Sequence, residues 1–291
     1  MSQLSNRQSY IKTVSYTSLA LIAFAANSVI CRLALKDQAI DPGMFTSIRL
    51  SSGAAVLIVL VLLSKEGKHK KSKGSWLSAA MLFLYAAAFS YAYVSLETGI
   101  GALIIFGVVQ ITMIASSLIS GYRMNSLEWM GVVMALAGFL YLLLPGASAP
   151  SLNGFLLMTL SGIGWGMYSL RGKKSEHPLV DTAYNFLRAL PFLILLFYLL
   201  FQERNYSTKG LLLALLSGIV TSGLGYTIWY MAIRGLNSIQ ASIVQLLVPV
   251  LAAIGGILFI GEAISLRLIG ASSMILGGIL LLILKRKKVQ I

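Results

Sequence analysis

Residues 249–278 read PVLAAIGGILFIGEAISLRLIGASSMILGG. Two apolar runs flank a short connection that contains Glu262, and Arg267 lies at the start of the second run. Backbone polar groups have no water to bond within a lipid bilayer, so apolar runs of this length are predicted to be helices. The stretch therefore predicts two membrane-spanning helices, at 237–260 and 266–284, joined by a tight turn.

The rest of the chain has the same composition. Of its 291 residues, 57% are hydrophobic and 11% are charged, whereas a soluble domain carries about 25% charged residues. The net charge of +14 lies in short blocks between apolar runs, as membrane anchors do, which argues against nucleic-acid binding. Alternating segments of about ten residues, the sign of an outer-membrane barrel, are not seen. The composition predicts an all-α integral membrane protein.

Apolar runs of spanning length recur along the whole chain, with Pro and Gly between several of them. The predicted spans are 15–35, 43–64, 75–95, 98–120, 127–145, 154–172, 180–201, 209–233, 237–260 and 266–284. Arg32 lies near the end of the first run, and no small-residue cleavage signature follows it, so this run is predicted to be a retained helix. Ten transmembrane helices are expected, with only short connections between them.

Basic residues predict the orientation. With a cytoplasmic N-terminus, sixteen of the 23 Lys and Arg residues fall in inside segments, four fall outside and three lie within helices. This asymmetry follows the positive-inside rule and requires an even number of helices. We therefore expect a multi-pass protein of a bacterial inner (plasma) membrane, with both termini cytoplasmic.

An internal repeat appears when the sequence is shifted by 139 residues. Arg49 then falls on Arg188, Gly131 on Gly270, and nine of 51 positions in residues 91–141 are identical. The repeats are predicted at 15–145 and 154–284, each with five helices. Because five is odd, the second copy must enter the membrane from the opposite side. Inverted repeats of this kind place a substrate site near the bilayer midplane and allow alternating access.

Residues 249–278 resemble the closing segment of the drug/metabolite transporter superfamily, in its ten-helix EamA-type branch. The resemblance rests on Pro249, on the Gly261-Glu262 pair, and on the spaced glycines of predicted helix 10. Arg49, its partner Arg188, and the Trp165-Gly166 step in predicted helix 6 also fit the family pattern. This resemblance implies a carrier that exports amino acids or related small metabolites, with a cavity lined by predicted helices 1, 3, 4, 6, 8 and 9.

The first half departs from that pattern. Gln110 stands where the second half has Pro249, Tyr122-Arg123 stand where it has Gly261-Glu262, and Phe24-Ala25 replace the usual Trp-Gly of helix 1. These departures leave the fold assignment intact. They imply that the two walls of a central cavity differ chemically.

Polar and aromatic residues within the spans are the candidates for substrate binding. An unpaired amide in hydrocarbon is costly, so it should face another helix or a cavity. Aromatic rings could enclose an organic substrate, although helix packing and interfacial belts are the alternative roles. The candidates are Asn27, Tyr91, Phe106, Gln110, Trp165, Tyr168, Tyr226, Trp229 and Gln245.

Charged residues narrow the function further. All nine acidic residues are predicted at loops or helix ends, which disfavours a proton-coupled multidrug antiporter because such an antiporter needs a carboxylate deep in the bilayer. No metal-ligand cluster is seen. Arg49 and Arg188 lie about eight residues into their spans, where they could bind an anion or serve a structural role. Glu262 is expected to be a helix cap or a loop tether.

The inverted repeat and the family resemblance together imply a carrier for small polar metabolites, and the absence of an ATP-binding loop predicts that its transport is secondary. No cofactor, catalytic residue or nucleic-acid partner is expected. Membrane lipids are the expected surroundings. A monomer is favoured, and the oligomeric state is left open. A nucleotide-sugar or phosphorylated-metabolite carrier of the same fold is the alternative. A membrane-embedded enzyme or sensor is the reading from another class, but an enzyme would need a nucleophile–base pair or a carboxylate cluster, and neither is found.

Overall fold

A computed structural model describes residues 2–64, 73–146, 149–173, 175–199, 206–236 and 238–285. Within these ranges the chain is helical, with no strand beyond one isolated bridge between Ile40 and Tyr206. The helices, numbered here in chain order, are α1 (Ser2–Leu35), α2 (Pro42–Leu63), α3 (Trp76–Ala92), α4 (Thr98–Ile119), α5 (Ser126–Leu143), α6 (Leu152–Gly172), α7 (Pro178–Leu199), α8 (Thr208–Ile233), α9 (Ser238–Gln245 and Leu247–Ile260) and α10 (Leu266–Lys285).

Seven of these helices are long and apolar enough to cross a membrane: α1, α2, α4, α5, α8, α9 and α10. Helix α3 is apolar but has only 17 residues. The all-α membrane fold is therefore confirmed, and the protein is a multi-pass membrane protein. The count of ten crossings remains a prediction.

Local sequence explains where the helices begin. Asp41 caps α2, because its Oδ1 accepts hydrogen bonds from the backbone N–H groups of Gly43 and Met44 at 2.8 and 3.1 Å, and Pro42 occupies the first helical position. Asn125 and Glu128 form a capping box at the start of α5. Helix α1 begins earlier than predicted, since its polar first residues continue the helix beyond the apolar run.

Two helices depart from regular α geometry. Helix α8 is a π-helix over Ser217–Leu224, a conformation that is rare and often found at functional sites. Helix α9 is interrupted at Leu246. Pro249 accounts for the interruption, because it has no N–H to donate to the carbonyl of Gln245 and its ring crowds that carbonyl.

The helices of the two halves make equivalent packing contacts. Helix α5 packs on α10, α2 on α7, and α4 on α9. Helix α3 packs on α6 as α8 packs on α1, and α6 packs on α4 as α1 packs on α9. These principal pairings are unchanged when each helix is exchanged with the one five places along. The division at 15–145 and 154–284, and the inversion of the second half, remain predictions.

The bundle has two ends that the site description needs. The predicted outer end is the one where α1 ends and α2 begins. The predicted inner end is the one where α2 ends and α3 begins. Helices α5 and α10 approach each other closely, because a Cβ on Gly131 would lie 2.5 Å from the carbonyl oxygen of Gly278. Small residues allow this approach of two helix backbones.

Candidate functional site

A cavity of about 1460 Å³ lies at the predicted inner end. We call it the vestibule. Its lining comes from the start of α3, the end of α4 and the connection that follows, the end of α6, and the start of α7. Its charged lining residues are Lys73, Arg123, Glu128, Arg171, Lys173 and Asp181. The vestibule is thus wide, and cations outnumber carboxylates on its wall.

A second, much smaller cavity lies deeper in the bundle, and we call it the chamber. Its volume is about 20 Å³, which is enough for about one water molecule. Helices α1, α3, α4, α6 and α8 supply its wall; α9, the sixth helix expected there, does not. The lining residues are Phe24, Asn27, Ser28, Tyr85, Phe89, Ile105, Phe106, Trp165, Thr221 and Tyr226. In this state the chamber is too small for an organic metabolite.

Aromatic rings separate the chamber from the vestibule. Trp165 lines the chamber and Tyr168 lines the vestibule, and their rings stack with centroids 5.6 Å apart and planes at 29°. Tyr85 and Tyr226 lie on the chamber side of Trp165, at centroid distances of 4.9 and 5.0 Å. We call the Trp165–Tyr168 pair the aromatic partition. This stacked pair therefore contributes one ring to the wall of each cavity.

Asn27 is the amide of the chamber wall. It is 5% exposed, and its Oδ1 accepts hydrogen bonds from the hydroxyls of Ser217 and Thr221 at 2.7 and 2.9 Å. Both hydroxyls belong to the π-helical segment of α8. Asn27 therefore ties α1 to the irregular part of α8 at the chamber.

Arg49 lies directly behind the chamber wall and is 1% exposed. Its Nε donates to Ser222 Oγ at 3.0 Å, and its Nη2 donates to Tyr85 Oη at 2.6 Å. Its guanidinium carbon lies 5.1 and 5.2 Å from the ring centroids of Tyr85 and Phe89. Nη1 has no hydrogen-bond partner among the described residues. Arg49 is thus a buried cation held by neutral groups.

Arg188, which matches Arg49 at the 139-residue shift, occupies a different setting. It is partly exposed, its guanidinium lies 5.6 Å from the Trp76 ring centroid, and it donates to the carbonyl of Lys73. This position is at the predicted inner end, where α3 begins. The structure therefore brings one arginine of the pair to the chamber and places the other at the bundle end.

The other predicted residues divide between the site and its surroundings. Phe106, Trp165 and Tyr226 line the chamber with Asn27, while Tyr168 lines the vestibule. Trp229 packs edge-on against Phe24 at 5.7 Å. Gln110 is 3% exposed, and its Nε2 has no partner among the described residues. Tyr91 lies near Gly43 at the predicted outer end, and Gln245 is partly exposed beside the interruption of α9. None of these last four residues lines the chamber.

Several chamber residues were missed by the sequence reasoning. Ser28, Tyr85, Phe89, Ile105 and Thr221 line the chamber but were not candidates, and Phe24 was noted only as a departure from the family pattern. Ser28 is one residue beyond Asn27, so the neighbouring amide was a usable signal. The partner of Arg49 in α3, Tyr85, had no comparable signal, because many tyrosines in this chain are possible interface residues.

A cluster around Glu262 joins α1, α4 and the end of α9 at the predicted outer end. Its carboxylate accepts from the backbone N–H of Thr98, the first residue of α4, at 2.9 and 3.1 Å. Arg32 of α1 donates to the same carboxylate at 3.3 Å and to the carbonyls of Tyr93 and Val94 at 2.9 Å each. Glu262 is therefore a tether and caps α4. We call this cluster the outer latch.

Glu97 precedes α4 and lies next to the latch. Partial burial raises the pKa of the Glu97 carboxyl above its ordinary value, and the negative charge of Glu262 raises it further. The positive charges of Arg32 and Lys36 act in the opposite direction. The protonation of Glu97 therefore depends on the charges of Glu262 and Arg32 in the latch. The described residues contain no group of three or more potential metal ligands.

Comparison with known proteins agrees with this architecture. The profile of the EamA-like transporter family matches residues 11–144 and 152–284. An uncharacterized protein of Pseudomonas aeruginosa is 50% identical over 275 residues, which cover 94% of this chain and 96% of that protein. An uncharacterized transporter of Bacillus subtilis is 23% identical, with coverage of 82% and 86%.

A solved crystal structure shares the fold. It matches with a TM-score of 0.64 at 21% sequence identity, and the match covers 91% of this chain and 96% of that one. At this identity the likeness concerns the fold alone.

Proposed function

Because the chain belongs to the EamA-like transporter family, we propose that it is a secondary carrier that moves a small polar metabolite through the chamber by alternating access. The observation that carries the proposal is the chamber itself. It lies where helices of both halves meet, between a wide vestibule at one end and a latch at the other. A carrier needs a site that each end of the bundle can reach in turn.

The large cavity lies at the predicted inner end, while the outer latch joins helices at the predicted outer end. In the proposed cycle a metabolite enters the vestibule, displaces the aromatic partition and expands the chamber. The outer latch then opens, so that the metabolite leaves on the opposite side. Each step breaks contacts described above, and no chemical bond of the cargo changes. The proposal therefore includes no catalytic step and no cofactor.

We propose export of amino acids or related compounds as the direction and cargo. Asn27 and Thr221 give the chamber hydrogen-bonding groups, while Phe24, Phe106 and Trp165 give it an apolar wall. A site of a few polar groups in an apolar enclosure suits a small metabolite with one polar end. A nucleotide-sugar or phosphorylated-metabolite carrier is the second candidate, and the excess of cations in the vestibule favours it.

The proposed setting is a bacterial inner membrane with both termini in the cytoplasm, membrane lipids around the bundle, and no nucleic-acid partner. We propose a monomer as the transporting unit. Reporter fusions test the orientation. Fusions after Gly74 and after Ile291 should report cytoplasm, and a fusion within 147–151 should report the other side. A cytoplasmic signal from 147–151 would contradict the inverted arrangement.

Metabolite profiling tests the transport itself. Cells that overproduce the protein and cells that lack it are compared for solutes inside the cell and in the medium. We expect a defined set of small polar solutes to fall inside and to rise in the medium. Asn27→Ala should reduce the change, because it removes the chamber amide that holds the π segment. Identical profiles in the two strains would sink the proposal.

A further inference from the structure

The guanidinium of Arg49 is a buried cation whose hydrogen-bonding capacity is not filled. Five N–H groups are available on an arginine. Nε and Nη2 each bond one hydroxyl, of Ser222 and Tyr85, and Nη1 bonds nothing among the described residues. A buried polar group without a hydrogen-bond partner is rare in native proteins and calls for an explanation.

The charge of Arg49 is also not balanced by an acid. Its hydrogen bonds and ring contacts are all with neutral groups. The ion pair of Arg32 with Glu262 lies at the predicted outer end and does not include Arg49. A cation removed from water without an anion is costly. An anionic ligand would therefore be favoured at this position.

The location of Arg49 makes such a ligand accessible from the chamber. The two rings beneath the guanidinium, Tyr85 and Phe89, both line the chamber. Ser222, its other partner, follows the lining residue Thr221 in the π segment of α8. A rearrangement of this segment would alter the partners of Arg49 and of Asn27 together, because Asn27 bonds Ser217 and Thr221.

We propose that the transported molecule carries a carboxylate, and that Arg49 binds this group through Nη1 and Nη2 when the Tyr85 hydroxyl is displaced. Two parallel N–H donors match the two oxygens of a carboxylate. The inference rests on the proposed transport function and names the chemical class of its cargo. The aromatic wall of the chamber would then hold the apolar part of the same molecule.

The vestibule supports an anionic cargo independently. Four cations and two carboxylates line it. The carboxylate of Glu128 already accepts hydrogen bonds from the Tyr122 hydroxyl at 2.6 Å and from the Asn125 N–H at 2.7 Å. Asp181 accepts from the Gly74 N–H at 2.9 Å. A cleft with an excess of positive charge raises the local concentration of anions.

The test compares two matched substitutions at repeat-equivalent arginines, Arg49→Lys and Arg188→Lys. Lysine keeps the positive charge but lacks the planar fork. Metabolite profiles of cells that produce each variant are normalised to folded protein, measured by size-exclusion chromatography of a fluorescent fusion. We expect Arg49→Lys to lower export of the affected solutes by at least about tenfold, as expected for the loss of a charge-assisted hydrogen bond. Arg188→Lys should stay within about twofold of the wild type, because Arg188 lies outside the chamber.

Each outcome decides a separate point. If no solute changes in the wild type, the transport function itself fails. If the solutes that change carry no carboxylate, transport stands and the carboxylate inference is overturned. Folded Arg49→Lys with wild-type export overturns the role of Arg49. Should Arg49→Lys not fold, the purified wild type is titrated with the exported acid and with its primary amide; equal affinity for the two overturns the inference, and preference for the acid supports it.

Discussion

Arg32 in α1 and Glu262 after α9 meet at the predicted outer end, with Nε 3.3 Å from Oε1, although 230 residues separate them in sequence. Their side chains are 10% and 9% exposed, so solvent screens this pair less than a surface pair. The same carboxylate caps α4 through Thr98. One acidic side chain therefore holds α1, α4 and the end of α9 together.

Glu262→Gln should make the predicted outer end open more often. Glutamine can still accept from Thr98, but it carries no charge for Arg32, so the latch is weakened by about 1–3 kcal/mol. The measurement uses a single cysteine at Ser28→Cys in a Cys31→Ala background. Ser28 lines the chamber and is 1% exposed. A membrane-impermeant maleimide added to intact cells should label this cysteine several-fold faster in the Glu262→Gln variant.

The matched control for the latch is Arg267→Gln. Arg267 lies at the same end and is partly exposed; it donates to the carbonyls of Leu144 and Pro145, which are not part of the latch. Labelling of Ser28→Cys should not change in this variant. Equal labelling of all three proteins would show that the Arg32–Glu262 pair does not close the outer end.

Glu97 should make stability depend on mildly acidic pH. Its pKa is raised in the folded protein, by burial first and by Glu262 second. The folded state therefore binds this proton more tightly than the unfolded state, and the free energy of unfolding rises as pH falls toward the ordinary value of 4.5. Glu97→Gln removes this contribution. Melting temperatures of the detergent-solubilised proteins, measured from pH 7.5 to 4.5, should favour Glu97→Gln at the upper end and converge at the lower end. Parallel curves for the two proteins would contradict the assignment.

How much the sequence could predict is clearest from Arg49 and Arg188. The 139-residue shift pairs them as repeat-equivalent positions, and the spans containing them are close to the observed helices. Their surroundings differ because Arg49 meets Ser222 of α8, whereas Arg188 meets Trp76 and the carbonyl of Lys73. Contacts between helices far apart in sequence decide this, and helix periodicity carries no information on them.

The irregular helices show the same limit. Pro249 was visible as a helix breaker, so the interruption of α9 could have been anticipated. The π segment of α8 could not, although Gly223 lies within it. A Cβ on Gly218 would lie 2.0 Å from Ser52 Oγ and 2.5 Å from the Arg49 carbonyl oxygen. The segment is fitted against α2 by tertiary packing.

Gly131→Ala should destabilise the α5–α10 contact. The added Cβ would lie 2.5 Å from the carbonyl oxygen of Gly278, and two helix backbones must separate to admit it. Overpacking of this kind costs about 1–3 kcal/mol. Gly172→Ala is the control, because its nearest neighbour would be the Tyr230 hydroxyl at an ordinary 3.5 Å. Thermal unfolding in detergent should show a lower midpoint temperature for Gly131→Ala and not for Gly172→Ala. An unchanged midpoint for Gly131→Ala would mean that α5 and α10 can move apart at little cost in stability.

Trp165→Leu should open a path from the vestibule to the chamber. The indole contacts Tyr168 within the partition at 5.6 Å and Tyr85 on the chamber side at 4.9 Å, and leucine is too small to reach both. The readout is again Ser28→Cys in the Cys31→Ala background, now labelled in inverted membrane vesicles so that the reagent reaches the predicted inner end. Labelling should be several-fold faster than with Trp165 present, while labelling from outside in intact cells should not change. Selection among exported solutes should relax too, because the ring that encloses them is gone.

Trp76→Leu provides the control for this last variant. Trp76 packs edge-on against Phe192 and lies beneath Arg188 at the start of α3, away from the chamber. The Trp76 side chain is 57% exposed and does not touch the partition, so labelling of Ser28→Cys should stay at the starting rate in this variant. If the two variants label alike, the change reports general loosening of the bundle and the partition has no gating role. If only Trp165→Leu is faster, Trp165 closes the chamber toward the vestibule.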